Sequence, residues 1–231
     1  MDAGLRIIND SGVVQIDSTY ANYYLHSKQV VSLENAASGS PFSSVSVSVP
    51  YPGQCLIALR SSVAVSVAAE TNDKVRIAGP RESVGVSVTV YFFVPANLSP
   101  LVGTGEGGLR VFGPNGALVF DNSAKMVKIL AYVPSAAGAQ EINLGATGTY
   151  AAVILNEAYS ITYTRLSGGG ANNNASWSYS FSEDLVQITS TGCIFTKATL
   201  NSGAFNASDN PPPQPLNIGP MSILLLDVTN Y

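Results

Sequence analysis

Apolar and polar residues alternate one for one along much of this chain. In "SSVSVSVP", Val45, Val47 and Val49 share one side and Ser44, Ser46 and Ser48 the other. "SVAVSVAA" repeats the pattern with Val63, Val65 and Val67, and "VGVSVTVYF" with Val84, Val86, Val88, Val90 and Phe92. "WSYSF" puts Trp177, Tyr179 and Phe181 on one side, with Ser178 and Ser180 opposite. A period of two predicts half-buried strands, one face packed and the other wet. Valine and aromatic residues suit such a surface. The best helix candidate, "NSAKMVKIL" at 122–130, is short and equally readable as a strand.

Turn residues punctuate these runs, among them Tyr51-Pro52-Gly53, Asn72-Asp73, Gly79-Pro80 and the glycines of 168–170. Many short strands between such turns predict an all-β fold of antiparallel β-sandwich or jelly-roll units. "SILLLDV" reads as a fully buried closing strand at 223–226.

One phrase occurs twice. "GLRIINDSGVVQID" begins at Gly4 and "GLRVFGPNGALVFD" at Gly108, an ungapped offset of 104 (108 − 4; 121 − 17). Each copy is an apolar run, a turn and an apolar run, hence a β-hairpin. Gly12 and Gly116 sit where a tight turn wants positive φ. Asp17 and Asp121 close the two copies and suit turn capping through a side-chain hydrogen bond. Between the copies lies the Pro/Gly-rich "PANLSPLVGTGEGG". The expectation is two related β-sandwich units in tandem, 1–98 and 107–231, joined by a linker at 99–106.

Composition narrows the function. The chain has 231 residues, 11% of them charged, with a net charge of −4. That balance leaves no basic patch for phosphates and argues against nucleic acid as a partner. No apolar stretch approaches the roughly 20 residues of a membrane-spanning helix, and the opening residues do not read as a signal peptide. A surface so poor in charge points to burial against copies of itself or other proteins. Cys55 and Cys193 stand apart, each beside apolar residues, and read as buried thiols.

Catalytic readings are weak. The letters G-x-G-x-x-G at 103–108 precede a strand rather than the helix a dinucleotide site needs. His26 is the only histidine and has no nucleophile elbow to serve. Glu183 and Asp184 are adjacent, so on a strand they point to opposite faces. No catalytic, metal or cofactor site is expected. The "GGGANNNAS" loop at 168–176 and the aromatic residue after it make Asn172, Asn173, Asn174 and Trp177 the candidates for contact with a glycan. For Trp177, Tyr179 and Phe181 themselves, core packing is the stronger expectation.

The two phrases, "GLRIINDSGVVQIDS" and "GLRVFGPNGALVFDN", resemble the opening of small all-β proteins from the tail-gene region of tailed bacteriophages, "GL-x-[VI]-[FI]-N-x-x-G-x-[VL]-x-[FI]-D-S". The second copy departs at Pro114 and at Asn122, where the first has Ser18. The resemblance implies a virion component of the tail tip, baseplate or tail fibre, present in host cytoplasm during assembly. Its partners would be copies of itself and other tail proteins, with a structural or host-attachment role and no catalytic residues. A glycan-binding receptor-recognition module is the alternative, and a carbohydrate-active enzyme the third reading.

Overall fold

A computed structural model describes residues 6–8, 14–17, 22–36, 42–101, 108–113, 115–136, 139–167, 174–208 and 216–231. About 67% is strand, all of it paired antiparallel, and the described residues contain no α-helix. The first half supplies β1 (Arg6–Ile8), β2 (Val14–Asp17), β3 (Tyr23–Ser32), β4 (Glu34–Asn35), β5 (Phe42–Ser48), β6 (Leu56–Ser61), β7 (Ser66–Thr71), β8 (Lys74–Pro80) and β9 (Ser87–Pro95). The second supplies β10 (Arg110–Phe112), β11 (Leu118–Asp121), β12 (Ile129–Ala136), β13 (Gln140–Asn143), β14 (Tyr150–Asn156), β15 (Tyr159–Ser167), β16 (Asn174–Ile188), β17 (Gly192–Ser208), β18 (Leu216–Ile218) and β19 (Met221–Asp227). The segment 122–130 forms a turn and then enters β12, so the helical alternative is excluded there.

The repeated phrase folds twice in one register. Arg6 faces Asp17, Ile7 faces Ile16 and Ile8 faces Val14; Arg110 faces Asp121, Val111 faces Phe120 and Phe112 faces Leu118. Adding 104 to each number of the first set gives the second (6 + 104 = 110; 14 + 104 = 118). Both hairpins slip register at the same place, between the second and third pairs. The correspondence continues where the sequence likeness has faded. The β3–β9 ladder slips between Leu25 and Ser27, and the β12–β19 ladder between Ile129 and Ala131 (25 + 104 = 129). His26 and Leu130 are therefore equivalent bulge residues, each an extra residue at the same place in its ladder; β12 slips a second time between Val133 and Ala136.

The largest sheet has the order β12-β19-β14-β6-β9-β3 and reads alike from either end. In each half the first strand after the hairpin is outermost and the last strand of that half lies beside it. The halves meet where β6 pairs with β14, Ala58 opposite Val153 and Leu59 opposite Ala152. Facing this sheet are β4-β5-β8-β7 and β13-β17-β16-β15-β18. Val47, Leu59, Val67, Ile77, Val90 and Phe92 fill the first sandwich. Tyr150, Val186, Phe195, Met221, Ile223 and Leu225 fill the second.

The other face of the large sheet encloses a third core. Leu25 N–H donates to the Lys125 carbonyl (2.8 Å) and Val127 N–H to that of Tyr23 (2.9 Å). The run entering β12 thus lies alongside β3, and the two outer strands of the sheet come together at that end. Ala58, Tyr91 and Phe93 from one half pack there with Ala151, Val153, Leu226 and Val228 from the other. Two expectations change. β9 is buried on both faces, Phe92 outward into the sandwich and Tyr91 and Phe93 into the third core, so it has no wet face over that run. The stretches 1–98 and 107–231 do hold separate sets of strands, but those sets share one sheet and one core. Of the expected linker, 102–106 lies outside the described residues. Ser99 is anchored, its hydroxyl donating to the Leu25 carbonyl at 2.9 Å.

Both cysteines are free thiols. Burial pushes Cys55 up to about 12 and Cys193 to about 11, so neither is a thiolate near neutrality.

Candidate functional site

The second hairpin is locked to the body of the protein at Asp121. This aspartate is fully buried, and Arg110 Nε lies 3.2 Å from its Oδ2. Its Oδ1 accepts the Ser123 N–H at 2.8 Å and the Ser123 hydroxyl, a side-chain turn of the kind aspartate favours. Asn22 Nδ2 donates to the Val119 carbonyl at 2.9 Å, and Val111, Val119 and Phe120 form a small core of their own with Met126. Gly116 has φ +76°, as its turn requires. Gly108 has φ +111°, and a Cβ there would come within 2.3 Å of Asn122 Oδ1, which accepts the Leu109 N–H. Asn122, a departure from the first copy, thus closes the base of its hairpin. Gly12 lies outside the described residues, and of Asp17 the structure describes the backbone alone, opposite Arg6. Asp121 thus caps its turn, as its place at the end of the hairpin phrase leads one to expect.

Glu183 and Asp184 on β16 do point apart. Asp184 sits opposite Lys197 on β17, whereas Glu183 faces the other half of the chain, beside Ser66, Arg76 and Glu157. Glu183 is buried, and desolvation pushes its carboxyl up to about 7 against the pull of the Ser66 hydrogen bond. Glu157 is raised as well, by its own burial. Sequence spacing gave no hint that Glu157 and Glu183 approach each other, because 26 residues separate the two (183 − 157), nor that Ser66 and Arg76 reach them from the other half. Glu157 lines a cleft of about 280 Å³ with Cys55, Ala69, Val75 and Leu155, but Glu183 does not. The two carboxylates therefore do not flank one open space, as a glycosidase pair must. Among the described residues no group of three or more His, Cys, Asp or Glu is placed to hold a metal ion. His26 is half-exposed on its bulge, with Nδ1 3.0 Å from the Ser27 hydroxyl and its ring edge-on to Tyr51.

The candidate binding surface lies on β15, β16 and β17, the last two being the longest strands of the chain. Trp177 stands opposite Arg165 on β15, Tyr179 opposite Tyr163 and Phe181 opposite Ile161. Directly opposed residues share a face of the sheet, so these side chains form one band. The Tyr179 ring lies over Gly203 of β17, where a Cβ would come within 2.7 Å of it. Tyr159 packs on Phe181 with ring centroids 5.6 Å apart. Ser178 is on the other face, its hydroxyl donating to the Thr164 carbonyl at 3.3 Å.

The expectation of core packing holds for Phe181 and not for Trp177 or Tyr179. Trp177, Tyr179 and Phe181 are all half-exposed, and only Phe181 reaches a core cluster, that of Ala78, Leu185 and Leu200. β16 meets the first half at Val186, whose backbone pairs with that of Val65. The indole N–H of Trp177 is shielded from solvent and has no hydrogen-bond partner among the described residues. Rings lying flat on a sheet, rimmed by hydroxyl, amide and guanidinium groups, offer what the apolar face and hydroxyls of a sugar need. Asn174 opens β16 opposite Ser208, while Asn172 and Asn173 lie outside the described residues. Compared with known proteins, the chain matches no family model, no curated protein and no solved structure.

Proposed function

We propose that this chain is a non-enzymatic structural component of a bacteriophage tail, assembling with copies of itself and with other tail proteins. The observation that carries the reading is the open edge of β12. Its outer side is unpaired among the described strands, and Ile129, Leu130 and Tyr132 are 56%, 47% and 59% exposed there. Soluble proteins usually guard such an edge with charge. The equivalent edge on β3 carries Lys28 where β12 has Tyr132 (28 + 104 = 132), and the polar His26 where it has Leu130. An apolar edge in a chain with 11% charge suits a neighbour that covers it. The hairpin phrase and its resemblance direct the proposal to the tail tip, baseplate or fibre.

The test is mass spectrometry of purified phage particles together with light scattering of the isolated chain. The chain is expected in the particle and as an oligomer or complex that Tyr132→Lys weakens without unfolding it. A monomer at high concentration, absent from particles, would sink the proposal.

The half-exposed band of Trp177, Tyr179 and Tyr163 favours a second reading, a glycan-binding module for host attachment. Binding of host polysaccharide that Trp177→Ala abolishes supports it. Cleavage of the polysaccharide in the same assay would replace both readings with a carbohydrate-active enzyme.

A further inference from the structure

We propose that the cleft beside the second hairpin binds an acidic sugar, a hexuronic acid residue within a longer saccharide. The cleft measures about 370 Å³, within the range of small-molecule sites, and Lys125, Lys128, Phe120, Met126 and Tyr231 line it. It is separate from both the β12 edge and the aromatic band, and the inference does not depend on either.

The distribution of lysine carries the argument. The chain has five lysines: Lys28, Lys74, Lys125, Lys128 and Lys197. Three of them gather around Tyr231 and its cleft. The Lys125 ammonium stands 5.8 Å over the Tyr231 ring, and Lys28 Nζ donates to the Tyr231 carbonyl at 2.7 Å. Lys128 lines the cleft with Lys125. In a protein of net charge −4 this is a concentrated patch of positive potential. The nearby carboxylates are already engaged. Asp121, which also lines the cleft, pairs with Arg110 and Ser123, and Asp227, which feels the charge of Lys128, accepts the Thr229 N–H at 2.9 Å.

The hairpin does not need these charges to fold. The first copy builds the same register with Ala21 and Tyr24 at the positions of Lys125 and Lys128 (125 − 104; 128 − 104). Lys125 and Lys128 belong to the second copy alone, as a function acquired after duplication would, and Lys28 joins them from β3.

The remaining walls specify a ring rather than a bare anion. Phe120 is buried and Met126 half-buried, giving an apolar wall. The Tyr231 hydroxyl donates to the Met126 carbonyl, which fixes the ring beside that wall. A pyranose laid against the ring would turn its carboxylate to Lys125 and Lys128. Two lysine point charges, with no arginine fork in the lining, suit a carboxylate held at a distance better than a phosphate gripped at several oxygens.

The full chain is titrated by calorimetry with a trigalacturonate, with a neutral galactose trimer and with inorganic phosphate. The acidic trimer is expected to bind roughly tenfold or more tightly than either other ligand. Its affinity should fall as salt rises from low to physiological strength. The Lys125→Gln/Lys128→Gln double variant should lose most of that affinity with an unchanged circular dichroism spectrum. Equal binding of the neutral trimer overturns the charge selectivity, and equal binding of phosphate overturns the sugar. Should the double variant fail to fold, the salt series decides alone: affinity indifferent to salt overturns the site.

Discussion

The phenolic oxygen of Tyr24 accepts a 2.7 Å hydrogen bond from the backbone N–H of Asp121, the end of the second hairpin held by the start of the first outer strand. Both residues are fully buried, and burial pushes the Tyr24 phenol up from its ordinary range. Tyr24→Phe keeps the ring but strands the Asp121 amide. The expected cost is about 1–3 kcal/mol, the penalty of a buried unpaired donor. Urea denaturation measures it, and hydrogen exchange localises it. The Asp121 amide should lose protection before amides in β9 do. An unchanged midpoint with full protection would mean the amide has another partner.

Arg110 and Asp121 make an asymmetric pair, one side chain 33% exposed and the other 0%. Arg110→Ala takes the cation away from a buried carboxylate, for an expected loss of about 2–4 kcal/mol. Asp121→Asn leaves an arginine that can reach water and retains an acceptor for Ser123, so its loss should be about 1 kcal/mol. The double variant should then be more stable than Arg110→Ala alone. A double-mutant cycle in urea checks the order, and additive losses would show that the two side chains do not act as a pair.

The shared third core makes a prediction about the halves. A protease site inserted at 102–107 and cleaved should leave two fragments that co-elute and unfold in one transition. Separation would strip Ala58 and Phe93 from Ala151, Val153 and Leu226. Fragments that part under native conditions and stay folded would show that the β6–β14 junction contributes little.

Much of this was legible beforehand, and what was not has a physical reason. Alternation located the valine strands, because a strand with one packed face prints its period on the sequence. Val47, Val65, Val67, Val88 and Val90 are all buried in the first sandwich. Val84 is exposed, because a 3-10 turn at Arg81–Ser83 delays the strand until Ser87. The ungapped repeat revealed two hairpins. It did not reveal that β3 and β12 share a bulge, since Leu25 and His26 align with Ile129 and Leu130 without identity. The joined sheet was hidden because β6 and β14 lie far apart in the chain and carry no mark of their pairing. Ser46 points outward on a stretch of β5 beyond its short pairing with β4, whereas Ser87 lies on a strand flanked by β3 and β6. The same serine-valine alternation thus marks both an edge stretch and an interior strand, and the sequence does not tell them apart. In the candidate binding band, alternation gave the shared face of Trp177 and Tyr179. It did not give their half-exposure, which is set by contacts beyond the strand itself and leaves no mark on its period.

Glu183 sets the last expectation, a dependence of stability on pH. Its carboxyl titrates at about 7 in the folded chain, chiefly through desolvation, against an ordinary value of 4.5. The folded state therefore holds a proton that the unfolded state releases. The stabilisation is complete below about 4.5 and is lost as pH rises through about 7. A difference of this size corresponds to a loss on the order of 3 kcal/mol. Glu157 and Asp184 are raised too and act in the same direction, while Arg76 and the Ser66 hydrogen bond moderate the effect on Glu183. Glu183→Gln mimics the protonated form and keeps a group that can hydrogen-bond to Ser66. The difference in unfolding free energy, variant minus wild type, should be small at pH 4 and grow in favour of the variant up to about pH 8. Urea unfolding across that range isolates the residue, because the other carboxylates are common to both proteins. A difference that stays flat with pH would place Glu183 in contact with water, and the seam between the halves would then be wetter than the burial of this side chain implies.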